Sequence, residues 1–147
     1  MVSEEHCVVL LLEKNDNDAK ILIESFLSLD VPHEVRRVLD CRAMLDYLKE
    51  SLNNRGSDKF IKPRLIIFGI EGITDEIVKV LEFLQSDSEL KRVPVLVFSS
   101  TADNSHILRA YQLKVNSYLL KLVNSAEFAA VAREVGSYWL RWNQLPS

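Results

Sequence analysis

Four short polar segments hold the side chains best placed for chemistry, and one of them lacks the group its position calls for. Glu13-Lys14-Asn15 follows the apolar run 7–12. Gly69-Ile70-Glu71 follows 63–68, Ser99-Ser100-Thr101 follows 93–98, and Lys121-Leu122 follows 117–120. The carboxyl ends of parallel strands are where α/β proteins place ligands and reactive groups. A carboxylate, hydroxyls and an ammonium gathered there could bind or act on a ligand. Gly69 ends a central run and offers no reactive group. Other chemistries find little support. Asp16-Asn17-Asp18 looks like a Ca²⁺ loop but lacks the glycine and distal glutamate of an EF-hand, and it suits a helix N-terminus, where acids favour the dipole. His6, His33 and His106 are too dispersed for a metal site. There is no Gly-rich phosphate loop, no Gly-x-Ser-x-Gly elbow and no Ser/His/Asp constellation. With four glycines in the chain, a flavin or nucleotide loop is poorly supported.

The elements that must position these loops alternate between two periods. Run 7–12 is continuously apolar, as expected of a strand buried on both faces. Residues 16–29 place Ala19, Leu22, Ile23, Phe26 and Leu27 at helical spacing, and Pro32 ends that pattern. Residues 33–38 read as a short strand. Asp40 can cap a helix over Ala43, Met44, Tyr47 and Leu48. A polar, Gly-containing loop at 53–62 leads to a strand at 65–68. The helix predicted at 75–84 turns Ile77, Val78, Val80, Leu81 and Leu84 inward. Strands at 93–98 and 117–120 alternate with helices at 103–113 and 126–142. Five βα units in succession predict an α/β fold: a three-layer, doubly wound, five-stranded parallel sheet with helices on both faces, the flavodoxin-like arrangement. No repeat, low-complexity tract or linker interrupts it, so residues 1–147 read as a single domain.

Bulk properties narrow the function classes. A chain of 147 residues can bury a full core, and 48% hydrophobic with 27% charged residues is ordinary for a globular domain. The net charge of −3 gives no reason to expect DNA, RNA or an anionic membrane as partner. No apolar run approaches transmembrane length, and residues 1–7 are too polar and acidic for a secretory signal. Cys7 and Cys41 form no disulfide framework and read as small hydrophobes in a reduced, cytoplasmic setting.

The order of the strand-end loops resembles the CheY-like receiver domain of two-component response regulators, from about His6 to Trp142. Pro32-His33-Glu34-Val35, Ala43-Met44-Leu45-Asp46-Tyr47-Leu48, Ile107-Leu108-Arg109-Ala110-Tyr111 and the ending Tyr138-Trp139-Leu140 with Leu145-Pro146 are similar to single-domain regulators that partner bacterial phytochromes. The resemblance implies an acidic pair after the first strand and an aspartate after the third, together binding Mg²⁺, with that aspartate accepting the phosphoryl group. It also implies a Ser or Thr after the fourth strand and a Lys after the fifth, both contacting phosphate.

Carried over residue by residue, half of that site is missing. Glu13 matches the first acid, Lys14 replaces the second, and Gly69 replaces the acceptor. Ser99 matches the hydroxyl, Lys121 the phosphate-sensing lysine, and Tyr118 an aromatic switch position. Leu122 replaces the proline that usually follows the lysine, so a trans bond is expected there. An ammonium at position 14 removes a metal ligand and adds repulsion of roughly 4 kcal/mol at about 4 Å and an effective dielectric of 20. Lys14 is therefore expected to occupy the metal's place, held by Glu13 or Glu71. No catalytic residue, metal or cofactor is expected, and Mg²⁺ binding is put in doubt. Structural alternatives remain open: a solvated Lys121, Ser99 to Thr101 as caps for the fourth helix, and an exposed Glu13–Lys14 pair worth under about 1 kcal/mol.

The last predicted helix, with Phe128, Val131, Val135, Tyr138, Trp139 and Trp142, has more apolar area than one face needs. The family's use of the face formed by the fourth helix, fifth strand and fifth helix implies a homodimer there, with Trp139, Trp142 and Leu145 as contacts. The alternative packs Trp139 within the chain. Three functions stay in view. The first is a degenerate receiver, not an enzyme, that works by phosphorylation-independent contact with a sensor histidine kinase, another regulator or itself, with no output domain attached. The second is an active regulator using a displaced carboxylate such as Glu71 or Asp75. The third is a flavodoxin-like enzyme or small-ligand binder.

Overall fold

The computed structural model describes residues 7–56 and 62–145. His6, Pro146 and part of the polar loop at 53–62 lie outside the described residues. The elements follow one another as β1 (Val8–Glu13), α1 (Asp16–Leu27), β2 (Glu34–Val38), α2 (Cys41–Asn53), β3 (Leu65–Ile70), α3 (Asp75–Ser86), β4 (Val95–Ser99), α4 (Asn104–Gln112), β5 (Ser117–Leu120) and α5 (Ser125–Ser137). All strands are parallel, in the order β2-β1-β3-β4-β5. The predicted three-layer α/β sheet is the observed one.

Strand alternation divides the core in two. Val9, Leu11, Leu65, Ile67, Leu96 and Phe98 pack with Leu22 and Phe26 of α1 and Phe128 and Ala132 of α5. Leu10, Leu12, Ile66, Phe68, Val95 and Val97 pack with α2, α3 and Ala110 of α4. Because β1, β3 and β4 are covered on both faces, they read as unbroken apolar runs. The edge strand β2 carries Glu34, Arg36 and Arg37 and is only half-buried, as an edge facing water allows. Cys7 and Cys41 are half-buried against the two cores as small hydrophobes.

Local chemistry sets the helix ends. Asn15, Asp40, Thr74, Asp103 and Asn124 cap α1 to α5, each accepting an amide of the first turn. After α4, Lys114 takes a left-handed conformation at φ 71°, and Val115 N–H returns to the Ala110 carbonyl at 3.1 Å. Gly136 lets α5 approach α1, because a Cβ there would lie 2.8 Å from Leu29 Cδ1.

Two readings of the helices need correction. Leu27 is 56% exposed, since α1 ends there and Phe26 fills the inward position. The last helix is not one α-helix to Trp142. It changes at Tyr138–Trp142 to a wider π turn, closed by Asn143 N–H to the Tyr138 carbonyl at 2.6 Å. That turn buries Leu140 in the α1/α5 core.

Candidate functional site

The ends of β1, β3 and β5 and the start of α1 surround a cleft of about 630 Å³, lined by Glu13, Lys14, Asp18, Gly69, Glu71, Ser100 and Lys121 among others. Registry places Glu13 beside Gly69. Both continue the α1/α5-facing alternation, as Lys121 does beyond Leu119. Ser99 and Tyr118 continue the opposite one. The strand-end residues that the sequence groups together are thus divided between two faces of the sheet.

Glu13 is buried, at 2% exposure. Its Oε2 accepts from Asn15 N–H at 3.1 Å, and its Oε1 lies 2.7 Å from Lys121 Nζ. That second contact is a close ion pair between a buried carboxylate and a nearly buried ammonium. Lys121 Nζ also donates to Asp18 Oδ2 at 2.9 Å, and its side chain is only 9% exposed. β3 and β4 stand between β5 and β1, so Lys121 reaches its partner across the ends of both. Burial raises the Glu13 carboxyl above its usual 4.5; Lys121 and the Asn15 amide pull it down but do not cancel the effect.

Gly69 is what makes room. A Cβ at this position would lie 2.8 Å from Glu13 Cδ and 3.3 Å from Glu13 Cβ, with Oε1 closer still. The Glu13 carboxyl therefore fills the space that any side chain at position 69 would need. Gly69 sits within β3, one residue further into the strand than the sequence reading had it.

Lys14 does not take the expected place. It is exposed and makes no ion pair among the described residues, while Lys121 holds the buried position between carboxylates. The reason lies in strand alternation, which turns position 13 inward and leaves 14 in the exposed loop. Glu13 and Lys14 are likewise not an exposed pair. The β1–α1 loop is held from β2: Arg37 donates to the carbonyls of Glu13 at 2.8 Å and Lys14 at 3.3 Å, and to Asp16 Oδ1 at 2.9 Å.

Ser99 is fully buried and committed to its own loop. Its Oγ accepts Thr101 N–H at 3.1 Å, Thr101 Oγ1 accepts Asp103 N–H at 3.1 Å, and Asp103 Oδ1 accepts Ser105 N–H at 3.3 Å. This stepwise ladder leaves the α4 cap to Asp103 rather than to the hydroxyls. Tyr118 joins the same loop, its hydroxyl donating to the Thr101 carbonyl at 2.7 Å. Glu71 is exposed at the cleft rim. Below it, His106 Nδ1 of α4 accepts Ile73 N–H at 2.9 Å, and its ring occupies the space beside Gly72. The Lys121–Leu122 bond is trans. Trp139 is half-buried in the α1/α5 core and meets Tyr138 edge-on at 5.2 Å, so the internal packing is the one observed. Trp142 is 69% exposed, and Leu145 is half-buried.

Asp18, Arg37 and His106 are residues that sequence reasoning missed in these roles. Asp18 read as a helix-dipole acid and His106 as a stray histidine. Only helix and strand placement brings Asp18 into the cleft, Arg37 onto the β1–α1 loop and His106 against Ile73.

The donors present do not fit a divalent cation. Among the described residues Glu13 is the one buried carboxylate, with one oxygen on Lys121 and the other on an amide. Position 69 supplies no side chain. Among the described residues no three His, Cys, Asp or Glu side chains converge as ligands.

A doubly wound parallel sheet ordered β2-β1-β3-β4-β5, with its cleft at the carboxyl ends of β1 and β3, is the flavodoxin-like, CheY-like fold. The comparisons agree, although no protein-family model matches the chain. The chain is 28% identical over 144 residues to the probable methanogenesis regulatory protein FilR2 of Methanothrix harundinacea, covering 98% of this chain and 90% of the relative. It is 26% identical over 140 residues to the response regulator Rcp1 of Synechocystis, covering 95% and 93%. The crystal structure of the phosphorylated cyanobacterial phytochrome response regulator RcpA superposes with a TM-score of 0.81 at 29% identity, covering 97% of this chain and 99% of that one. The Mn²⁺-bound form of Rcp1 gives 0.81 at 26% identity, covering 96% and 99%. In sequence and in fold the chain is similar to response-regulator receiver domains of two-component signalling.

Proposed function

We propose that this receiver domain lacks a phospho-acceptor and works by phosphorylation-independent protein–protein contact. The observation that carries the reading is Gly69: β3 reaches the cleft without a carboxylate, and Glu13 fills the vacated space while tied to Lys121. In-line phosphoryl transfer needs an accessible nucleophile aligned with a metal and a cationic clamp. Glu13 is buried, Lys121 is engaged and Ser99 is spent on its own loop. The similar RcpA is phosphorylated and the similar Rcp1 is Mn²⁺-bound in their crystal structures; here neither phosphate nor metal is part of the function. The domain is not an enzyme and needs no cofactor.

Its partners are proteins: a sensor histidine kinase, as the phytochrome-linked relatives suggest, or another regulator. It works in the cytoplasm, away from nucleic acid and membrane; no described helix is long and apolar enough to cross one. A homodimer through α4, β5 and α5 is supported by exposed Leu108, Tyr111, Leu120 and Val123, with Trp142 at the end of the chain's last turn. A monomeric mass by light scattering at high micromolar concentration would remove the dimer.

Incubation with acetyl phosphate and Mg²⁺, followed by intact mass, tests the central reading. No adduct is expected. A stable adduct on Glu71 or Asp75 would replace it with that of an active regulator using a displaced carboxylate.

A further inference from the structure

We infer that His106 is a pH-operated latch between the β3–α3 loop and α4. As a neutral ring it holds the loop to the helix, and protonation releases the two. Its effect on partner contact rests on the reading of α4, β5 and α5 as the contact face; the latch itself does not.

His106 lies in the first turn of α4, and its Nδ1 accepts the Ile73 amide at 2.9 Å. No other acceptor meets that amide among the described residues. The loop is shaped to receive the ring. A Cβ on Gly72 would lie 3.0 Å from His106 Cε1 and 3.1 Å from Nδ1. Gly72 has no positive φ to accommodate, so space is what its lack of a side chain supplies. The next residue, Ile73, is buried in the α2/α3 core and fixes the loop from its other side.

An imidazole nitrogen accepts a hydrogen bond only while it carries no proton. The proton of the neutral ring therefore sits on Nε2. A second proton must go to Nδ1, where N–H would point at N–H. The bond is then lost, and the Ile73 amide is left without its acceptor. Histidine is the side chain suited to changing charge between about pH 5 and 8. The latch is thus closed toward neutral pH and opens as pH falls. The charged groups about it are Glu71, Asp75 and Glu76 on the loop and α3, and Asp103 and Arg109 at α4. Asp75 faces Arg109 at 3.7 Å, and Asp103 caps α4. A freed imidazolium therefore has carboxylates on both sides.

α4 is the element placed to respond. Ala110 is the one residue it buries in the core. Its other side-chain ties are the Arg109–Asp75 pair and the Tyr111 hydroxyl, which accepts Tyr118 N–H at 3.1 Å. A helix with so few anchors opens locally at low cost. It also presents the exposed Leu108 and Tyr111 of the contact face.

Hydrogen exchange at the Ile73 amide, read by NMR as a protection factor at about pH 5 and about pH 7.5, is the test. Wild-type protection is expected to be about 10-fold lower at the acid pH, the worth of one hydrogen bond. His106→Asn keeps an acceptor near the Nδ1 position and does not titrate, so its protection should be equal at both. His106→Phe keeps a ring without an acceptor and should be poorly protected at both. Glu13 and His33 are unchanged in His106→Asn, so only the pH dependence which that variant removes counts. Equal wild-type protection at the two pH values would overturn the inference, as would a pH dependence that persists in His106→Asn. Should His106→Asn fail to fold, the ring's own nitrogen shifts decide: the Ile73 change must share their midpoint, and a separate midpoint overturns the latch. Light scattering at both pH values reads self-association separately. A monomer throughout strikes the contact face instead, so the two failures are distinguishable.

Discussion

Gly69→Ala isolates why β3 ends in glycine. The backbone does not require one, since the only described glycine at positive φ is Gly56. The requirement is space: the new methyl would sit 2.8 Å from Glu13 Cδ and 3.3 Å from Glu13 Cβ. A glutamate tip in water would swing aside at little cost. Here it is buried, with Lys121 on one oxygen and the Asn15 amide on the other, so it moves only by giving up those contacts. Overpacking of this kind costs about 1–3 kcal/mol, and alanine in place of glycine within a strand returns about 0.5–1 kcal/mol. The expected net loss is about 1–2 kcal/mol. In a Glu13→Ala background the obstacle is gone, and the same methyl should be neutral or stabilising by up to about 1 kcal/mol. Urea unfolding of the four proteins of that cycle, at equal m-values, should therefore give a coupling of about 1–3 kcal/mol. A Gly69→Ala protein as stable as wild type, with coupling under about 0.5 kcal/mol, would refute the claim that Glu13 occupies this space. Gly69→Asp meets the same obstacle and adds a second carboxylate. Alone it should gain no Mg²⁺-dependent labelling by acetyl phosphate, and full labelling would show that Glu13 yields easily.

Three further outcomes follow from the same contacts. Gly136→Ala puts a methyl 2.8 Å from Leu29 Cδ1 and 3.2 Å from Phe26 Cε2 where α5 crosses α1; even after the helix-propensity gain it should cost about 1–2 kcal/mol in urea unfolding. Lys114→Gly relieves a left-handed residue at φ 71° and should raise the urea midpoint by the equivalent of about 0.5–1 kcal/mol. The raised carboxyl of Glu13 means that the folded state holds this proton more tightly than the unfolded one. Its stabilising share is present below pH 4.5 and is lost as pH rises through the folded value. Glu13→Gln mimics the protonated form, so its stability relative to wild type should improve from acid to neutral pH; a relative loss over that range would contradict the burial argument.

The fold was legible because its determinants are local. Unbroken apolar runs such as 8–12 and 65–68, helical spacing at Ala19, Leu22 and Phe26, and side-chain caps such as Asp40 act within a few residues and agree with one another. Element ends were less legible. Leu27 fits the helical spacing, yet the chain leaves α1 there, and the widened turn at Tyr138–Trp142 depends on burying Leu140 against α1 and α5. The site was legible as a set of strand ends but not as a set of contacts. Lys14 looked like the cleft's cation because it stands where the resemblance puts the second acid, whereas alternation turns Glu13 inward and leaves Lys14 in the exposed loop.

What the sequence determined by itself was the five-unit α/β order, the strand ends at which a site must lie, and the absence of a side chain at position 69. What only the tertiary structure decided was which groups meet there. Lys121 and Asp18 stand 103 residues apart and are joined because the end of β5 turns Lys121 to the face of the sheet that α1 covers. Glu13 lies over Gly69 because β1 and β3 pair in that register. An ion pair across the sheet depends on where packing holds its two ends, and packing is a property of the folded core, not of any local stretch of chain.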